Sequence, residues 1–236
     1  MPRKPDQRAI QRRYDFVSRW HDAIGRFTMR HRSDALRALK PQPGECILDL
    51  ACGGGPNFKD TTMGLGASGL LVGLDYSPGM LQQAHQRVRR HQWSSVALFR
   101  GDAARLPFAS KVFDRVICTY SLKIIPAYRE ALDEVERVLK PGGVFLVLDG
   151  KLSSGVTRFC NSVAQWGARL AMSDLARPLV DEIVKRFQNV KVTEYDFGHT
   201  FIAVARKRQS TTSNIGISDE ESGKLKNETK CSRKIP

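Results

Sequence analysis

The sequence predicts an α/β fold: a seven-stranded, mostly parallel sheet with helices on both faces and an antiparallel last strand. Three observations carry that expectation. Between residues 41 and 206, short apolar runs bounded by turn residues alternate with helical stretches, as in consecutive βαβ units. A loop of small residues, Ala51-Cys-Gly-Gly-Gly55, follows the first of those runs without a break. Acidic residues then stand at or just past the ends of the next two runs, Asp75 and Asp102.

The elements follow in order. Residues 1–40 read as helical and basic, with Ile10, Tyr14, Val17, His21 and Ile24 recurring at spacings of four and three. Arg12, Arg19 and Arg26 fall on the opposite face. Gly25 breaks or bends this segment, and a second helix runs to Leu39 before Pro41. Glu45–Leu50 is the first strand, and a helix over Asn57–Leu65 follows the small-residue loop. Leu71–Asp75 is the second strand. Ser77-Pro78 supplies a cap and a first-turn proline for a helix to about Gln92. Val96–Arg100 and Phe113–Thr119 are further strands. Pro126–Leu139 is a helix with Ala131, Val135 and Val138 inward, stopped by Lys140-Pro-Gly-Gly143. Val144–Leu148 is a buried strand, followed by two helices (156–172 and 174–187). Strands at Val190–Tyr195 and Thr200–Ala205 form a hairpin around Phe197-Gly-His199. Residues 207–236 are polar, with almost no large apolar side chains, and read as a disordered tail.

Composition narrows the classes. The 236 residues are 41% hydrophobic and 26% charged, ordinary values for one globular domain. No apolar run approaches the ~20 residues that span a bilayer. The start has no apolar core of a secretory signal, so a cytoplasmic protein is expected. The five cysteines lack ligand spacing, which fits reduced thiols better than disulfides or zinc; no metal site is expected. The formal charge is +14, and residues 1–40 supply half of it, with eleven Lys or Arg against four Asp. Such a segment either lies against an anionic membrane surface or packs as a lid with its arginines in solvent. Nucleic acid is not expected, because no binding module is appended and the basic stretches carry few aromatics.

In an open α/β sheet, ligands bind at the carboxyl ends of the strands. Asp49 ends the first strand, where it can accept from the loop or from a ligand ammonium. Asp75 is placed to accept both hydroxyls of a ribose, Asp102 an exocyclic amine, and Tyr120-Ser121 line the same crevice. Loop, acid, acid and aromatic in that order point to a nucleoside-type ligand. Phe58 stands where a dinucleotide fingerprint needs its third glycine, and no Lys follows the loop, which disfavours NAD and ATP.

Residues 45–149 resemble a class I S-adenosylmethionine-dependent methyltransferase of Rossmann-like fold, in the ubiquinone/menaquinone-type and phospholipid N-methyltransferase-like branch. The matching stretches are Cys-Ile-Leu-Asp-Leu-Ala-Cys-Gly-Gly-Gly-Pro-Asn-Phe (46–58), Val-Gly-Leu-Asp-Tyr-Ser-Pro-Gly-Met-Leu (72–81), Gly-Asp-Ala-Ala-Arg-Leu-Pro-Phe (101–108) and Leu-Lys-Pro-Gly-Gly-Val-Phe-Leu-Val-Leu-Asp (139–149). The resemblance implies that Asp49, Gly53 and Gly55 hold the methionine moiety, Asp75 the ribose, and Asp102 with Ala103 the adenine. It implies that Tyr76 and Met80 pack against the cofactor. The family's first loop glycine is Ala51 here, which would be strained if the position needs positive φ.

The reaction needs alignment of nucleophile, methyl and sulfur in a dry site, plus a base for a carbon or phenol acceptor. Candidates for that work are Tyr14, His21, Tyr120 and Lys123, with Tyr120 also against the cofactor. Tyr120-Ser-Leu-Lys-Ile-Ile-Pro126 is similar to a stretch of phospholipid and betaine-lipid N-methyltransferases, and with the basic N-terminus it favours a lipid-type acceptor. A prenylated quinone, a soluble small molecule and a cofactor-binding protein without turnover remain open, as does the oligomeric state.

Overall fold

A computed structural model describes residues 31–209 apart from 156, 158, 160, 163, 164 and 167–172. Seven strands form one sheet: β1 (Cys46–Leu50), β2 (Leu70–Asp75), β3 (Val96–Arg100), β4 (Phe113–Thr119), β5 (Leu139–Gly150), β6 (Gln188–Tyr195) and β7 (Thr200–Arg206). Their order across the sheet is β3-β2-β1-β4-β5-β7-β6. Pairing is parallel from β3 through β5, and β7 runs antiparallel to both β5 and β6. The strand order therefore reverses direction at β1, between β2 and β4, where ligands enter such sheets.

Side-chain alternation separates two apolar layers. Cys46, Leu48 and Leu50 of β1 share one face with Val116, Cys118, Phe145 and Val147, under helices α4 (Tyr128–Val138) and α5 (Leu179–Arg186). Ile47, Ile117, Leu146 and Leu148 point the other way, under α1 (residues 31–39), α2 (Phe58–Leu65) and α3 (Pro78–His91). Asp49, two residues from Ile47, lies on this second face and is fully buried. The expected three-layer fold is thus present, with α1 docked through Ala35, Leu36 and Leu39.

Local chemistry explains the boundaries. Ser77 caps α3, its Oγ accepting from Met80 N at 3.2 Å, and Pro78 occupies the first turn. α5 starts at Leu179 rather than 174, because Pro178 disfavours helical backbone in the residue before it. β5 starts at Leu139, five residues earlier than expected, since Leu139 pairs with Phe113 across an irregularity in the β4–β5 ladder. The hairpin from β6 to β7 turns through Asp196–Gly198, all three at positive φ. Of residues 156–172, positions 161, 162, 165 and 166 are helical. Lys207 N donates to Gly143 O and Lys207 Nζ to Leu139 O, at 2.9 and 2.8 Å. Residues 1–30 and 210–236, with most of the basic segment and the tail, lie outside the described residues.

Candidate functional site

The carboxyl ends of β1 to β4 border a cleft of about 980 Å³, open to solvent on one side. Walking across the sheet, β3 contributes Gly101, Asp102 and Ala103, and β2 contributes Asp75 and then Tyr76, Ser77 and Met80. β1 contributes Ala51, Cys52 and Gly53. β4 contributes Thr119, Tyr120 and Ser121, followed by Ile124, Ile125 and Pro126. Arg32 enters from α1.

The small-residue loop is held open by backbone bonds: Cys52 N donates to Leu74 O, Gly55 N to Cys52 O and Phe58 N to Gly55 O. Ala51, Gly53 and Gly55 all have positive φ, at 54°, 55° and 76°. Ala51 is therefore strained as anticipated, since an L side chain is disfavoured there. Gly53 faces open space, where an added Cβ would meet nothing closer than Met80 Sδ at 3.9 Å. Gly55 has a different reason: a Cβ would lie 2.4 Å from the Phe58 ring. Asp75 ties the loop to the second strand, its Oδ2 accepting from Gly53 N at 2.8 Å and its Oδ1 from Ser77 N at 2.9 Å. Asp102 Oδ1 accepts from Ala104 N at 2.9 Å.

A buried polar cluster lies at the junction of β1 and β4. Asn57 Nδ2 donates to both Asp49 oxygens, at 3.2 and 3.1 Å, and to Thr119 Oγ1 at 3.1 Å. Arg32 Nη1 donates to Asn57 Oδ1 at 2.9 Å and to Thr119 Oγ1. Burial pushes the Asp49 carboxyl up to about 7, Asn57 and Arg32 pull against it, and Asp75 adds to it. Burial also lowers the Arg32 guanidinium, with Asp49 opposing.

Beyond this cluster Tyr120 forms a wall, with φ at 56° and its N donating to Leu148 O. Arg32 Cζ and Lys123 Nζ stand over its ring at 5.3 and 4.8 Å. Burial pushes the phenol up to about 12; Arg32 opposes that shift, and Asp149 and Asp196 add to it. Lys123 Nζ pairs with Asp149 Oδ1 at 2.9 Å, and Asp149 is fully buried. The following loop is pinned by Arg177, whose Nη1 donates to Leu122 O and Ile125 O at 2.7 and 2.5 Å while its guanidinium lies 4.8 Å from the Tyr128 ring centroid.

Of the residues expected at the cofactor, Ala51, Gly53, Asp75, Tyr76, Met80, Asp102, Ala103 and Tyr120 line one cleft. Asp49 and Gly55 do not. Asp49 is withdrawn beneath the surface because β1 turns it toward α1 and α2, and Gly55 shapes the loop against Phe58. Tyr120, a candidate base, lines the cleft, with its phenol pushed up to about 12 chiefly by burial. Lys123, another candidate, is not among the residues lining the cleft and pairs with Asp149. Tyr14 and His21 lie outside the described residues. Among the described residues no cluster of His, Cys, Asp and Glu is suited to a metal. Cys52 and Cys118 are free and buried.

Sequence reasoning missed Arg32, Thr119 and the wall Ile124-Ile125-Pro126. The last had a signal in the Tyr-Ser-Leu-Lys-Ile-Ile-Pro stretch. Arg32 had none, standing among many arginines.

Two acids at successive strand ends, small residues beneath them and an aromatic wall fit a nucleoside bearing an amino-acid tail. Residues 48–147 match the family model described as a methyltransferase domain. They lie on a sheet whose strand order is Rossmann-like. Over 148 residues the chain is 34% identical to a demethylmenaquinone methyltransferase of Alkalihalophilus pseudofirmus, covering 60% of this chain and 59% of that protein. Other curated relatives of the same name are covered over 50% to 65% of their length. Among solved structures, Haemonchus contortus phosphoethanolamine N-methyltransferase 2 in complex with S-adenosyl-L-methionine superposes with a TM-score of 0.66 at 18% identity, over 76% of this chain and 52% of that one. The [4+2]-cyclase SpnF superposes at 0.71 and 17% identity, over 89% and 99%. These two likenesses establish the fold and leave the acceptor to be argued from the cleft.

Proposed function

We propose that this chain is an S-adenosylmethionine-dependent methyltransferase acting on a quinone-type acceptor, a ring with an acidic hydroxyl and an apolar tail. The observation that carries the reading is the acceptor side of the cleft, where Tyr120, Ile124, Ile125 and Pro126 form an aromatic and aliphatic wall. The ionisable groups lining that side among the described residues are Arg32 and Tyr120, and neither is a base at neutral pH. An acceptor that brings its own acidity suits that wall, as a hydroxylated ring does and an alkyl carbon does not. The relatives named demethylmenaquinone methyltransferase support the same class.

The lipid-amine reading is weaker. An alkylammonium product would be stabilised over an aromatic face. The Tyr120 ring already has Arg32 and Lys123 over it, so a third cation there meets like charge. In the reaction proposed, the ring's electron pair forms the new bond to methyl as the sulfur–methyl bond breaks. S-adenosylhomocysteine leaves, and for a ring carbon the displaced proton goes to solvent or a buffer base. The chain supplies alignment and exclusion of water. A tailed quinone resides in a bilayer, so the reading includes contact with an anionic membrane surface, to which the +14 charge is attracted. Among the described residues no helix is long and apolar enough to cross a membrane.

The test offers labelled S-adenosylmethionine with a reduced, short-tailed demethylmenaquinone, phosphatidylethanolamine vesicles or phosphoethanolamine. Label in the quinol alone is expected. Transfer to either amine, or to none of the three, would overturn the acceptor assignment.

A further inference from the structure

Three large aromatic side chains stand in solvent: Phe159, Trp166 and Phe197 are 78%, 66% and 79% exposed. Every other phenylalanine among the described residues is buried or half-buried. Phe197 is also held against the preference of its backbone, with φ at 56° in the turn between β6 and β7. Gly150 at the end of β5 pairs with Thr200 at the start of β7, so that turn and the segment after β5 both lie at the end of the sheet where the cleft opens. Hydrogen bonds join them. Ser153 Oγ and Thr157 Oγ1 donate to Phe197 O at 2.8 and 3.1 Å. Asn161 Nδ2 donates to Ser153 O at 2.8 Å, and Gln165 Nε2, beside Trp166 in the chain, donates to Asp174 Oδ1 at 3.0 Å. Asp174 N donates in turn to Lys123 O, in the loop that carries Ile124 and Ile125. Single exposed apolar residues are ordinary, but three rings on connected segments beside a cleft mark a surface that something covers.

Charge decides what that is. The described chain begins at His31, whose Nε2 bonds Asp196 Oδ2, next to Phe197 in the turn. Residues 1–30, which join the fold at this point, carry eight Lys or Arg against three Asp. An anionic lipid surface attracts such a segment. Trp and Phe rings are stable at the boundary between headgroups and acyl chains, so one surface satisfies both the rings and the charge. We infer that Phe159, Trp166 and Phe197 seat this end of the domain on an anionic bilayer. The acceptor wall Ile124-Ile125-Pro126 then opens toward the lipid, and a tailed ring enters the cleft without crossing water. The purpose of the seating rests on the reading of the acceptor as a tailed quinone, whereas the seating itself is measured with no acceptor present.

The experiment sediments the full chain with vesicles of phosphatidylcholine and phosphatidylglycerol. The wild type is expected to bind. The triple variant Phe159→Ser, Trp166→Ser, Phe197→Ser is expected to bind about 10- to 100-fold more weakly, for the loss of three partly immersed rings. Met63→Ser removes an exposed apolar side chain from α2 near Pro41, at the other end of the sheet, and should bind as the wild type does. A second readout needs no disruptive change: brominated phosphatidylcholine in the vesicles should quench the tryptophan fluorescence of the wild type and quench Trp166→Phe clearly less. Equal binding by the triple variant, or equal quenching in Trp166→Phe, would overturn the inference. So would a loss in Met63→Ser as large as in the triple variant, or a wild type that stays in the supernatant. Vesicle binding without methyl transfer to the quinol would keep the seating and sink the acceptor reading. Transfer to the quinol in detergent without vesicle binding would do the reverse.

Discussion

At the scale of single residues, the site shows where its backbone is under strain. Ala51 has φ at 54° in the loop where the pattern it resembles has glycine, and left-handed backbone costs an L residue about 1–2 kcal/mol. Ala51→Gly relieves that cost but adds about 0.4–1 kcal/mol of freedom to the unfolded chain. The net expectation is a gain of about 0.5–1 kcal/mol, seen as a higher urea midpoint at unchanged slope. A midpoint at or below the wild type would mean that the position is not strained. The substitution was legible as a risk because a small residue sat where the pattern wanted none at all. Asp49 was legible as an acid at a strand end but not as a buried one. Which face of β1 it takes depends on α1 and α2 packing from 9 to 18 residues away in sequence, and a local pattern does not carry that.

At the scale of elements, the strands, the helices α2 to α4 and the hairpin could be read because each pairs a hydrophobic period with a chemical stop, such as Ser77-Pro78 before α3. The segment 173–178 could not. Its composition suits a helix, but in the fold it binds the loop after β4 through Asp174 N to Lys123 O and through Arg177. Arg177 is a positioning residue for Ile124 and Ile125, which line the cleft. Arg177→Gln is expected to raise the acceptor KM severalfold while cofactor affinity, measured by calorimetry, stays within about twofold. An equal loss in both would mean that the whole domain, and not the loop, had been disturbed. The conservative Arg177→Lys, lacking the fork that spans two carbonyls, should not rescue the KM.

At the scale of the whole molecule, stability is coupled to proton binding through the cluster at the β1–β4 junction. The folded Asp49 carboxyl sits near 7 against an ordinary 3.8, so the folded state holds a proton that the unfolded chain has released. Stability therefore falls as pH rises from about 4 to 7 and levels off above, a loss on the order of 4 kcal/mol at most. Glu134 and Glu182 are held below the usual carboxylate range by Arg137 and Arg186; the stability they add builds as pH rises toward the ordinary value of 4.5 and is fully present above it, so the same contribution stands at pH 5 and pH 8. Urea unfolding at pH 5 and pH 8 should show the drop in the wild type and most of it gone in Asp49→Asn. An identical drop in both proteins would remove Asp49 as its source.

The bond from His31 Nε2 to Asp196 Oδ2, at 2.9 Å, joins residues 165 positions apart, and the His31 ring also packs on Tyr195. It fastens α1, and with it Arg32, to a hairpin whose second strand ends at Arg206. On a ribosome, α1 leaves the exit tunnel long before that hairpin exists. At 5–20 residues per second the interval is roughly 10–30 s. For that time α1 has no hairpin to bond to, and Ala35, Leu36 and Leu39 pack on as much of the sheet as has been made. Arg32's own partners, Asn57 and Thr119, emerge earlier, so the fastening of His31 to the hairpin is a contact that α1 gains late.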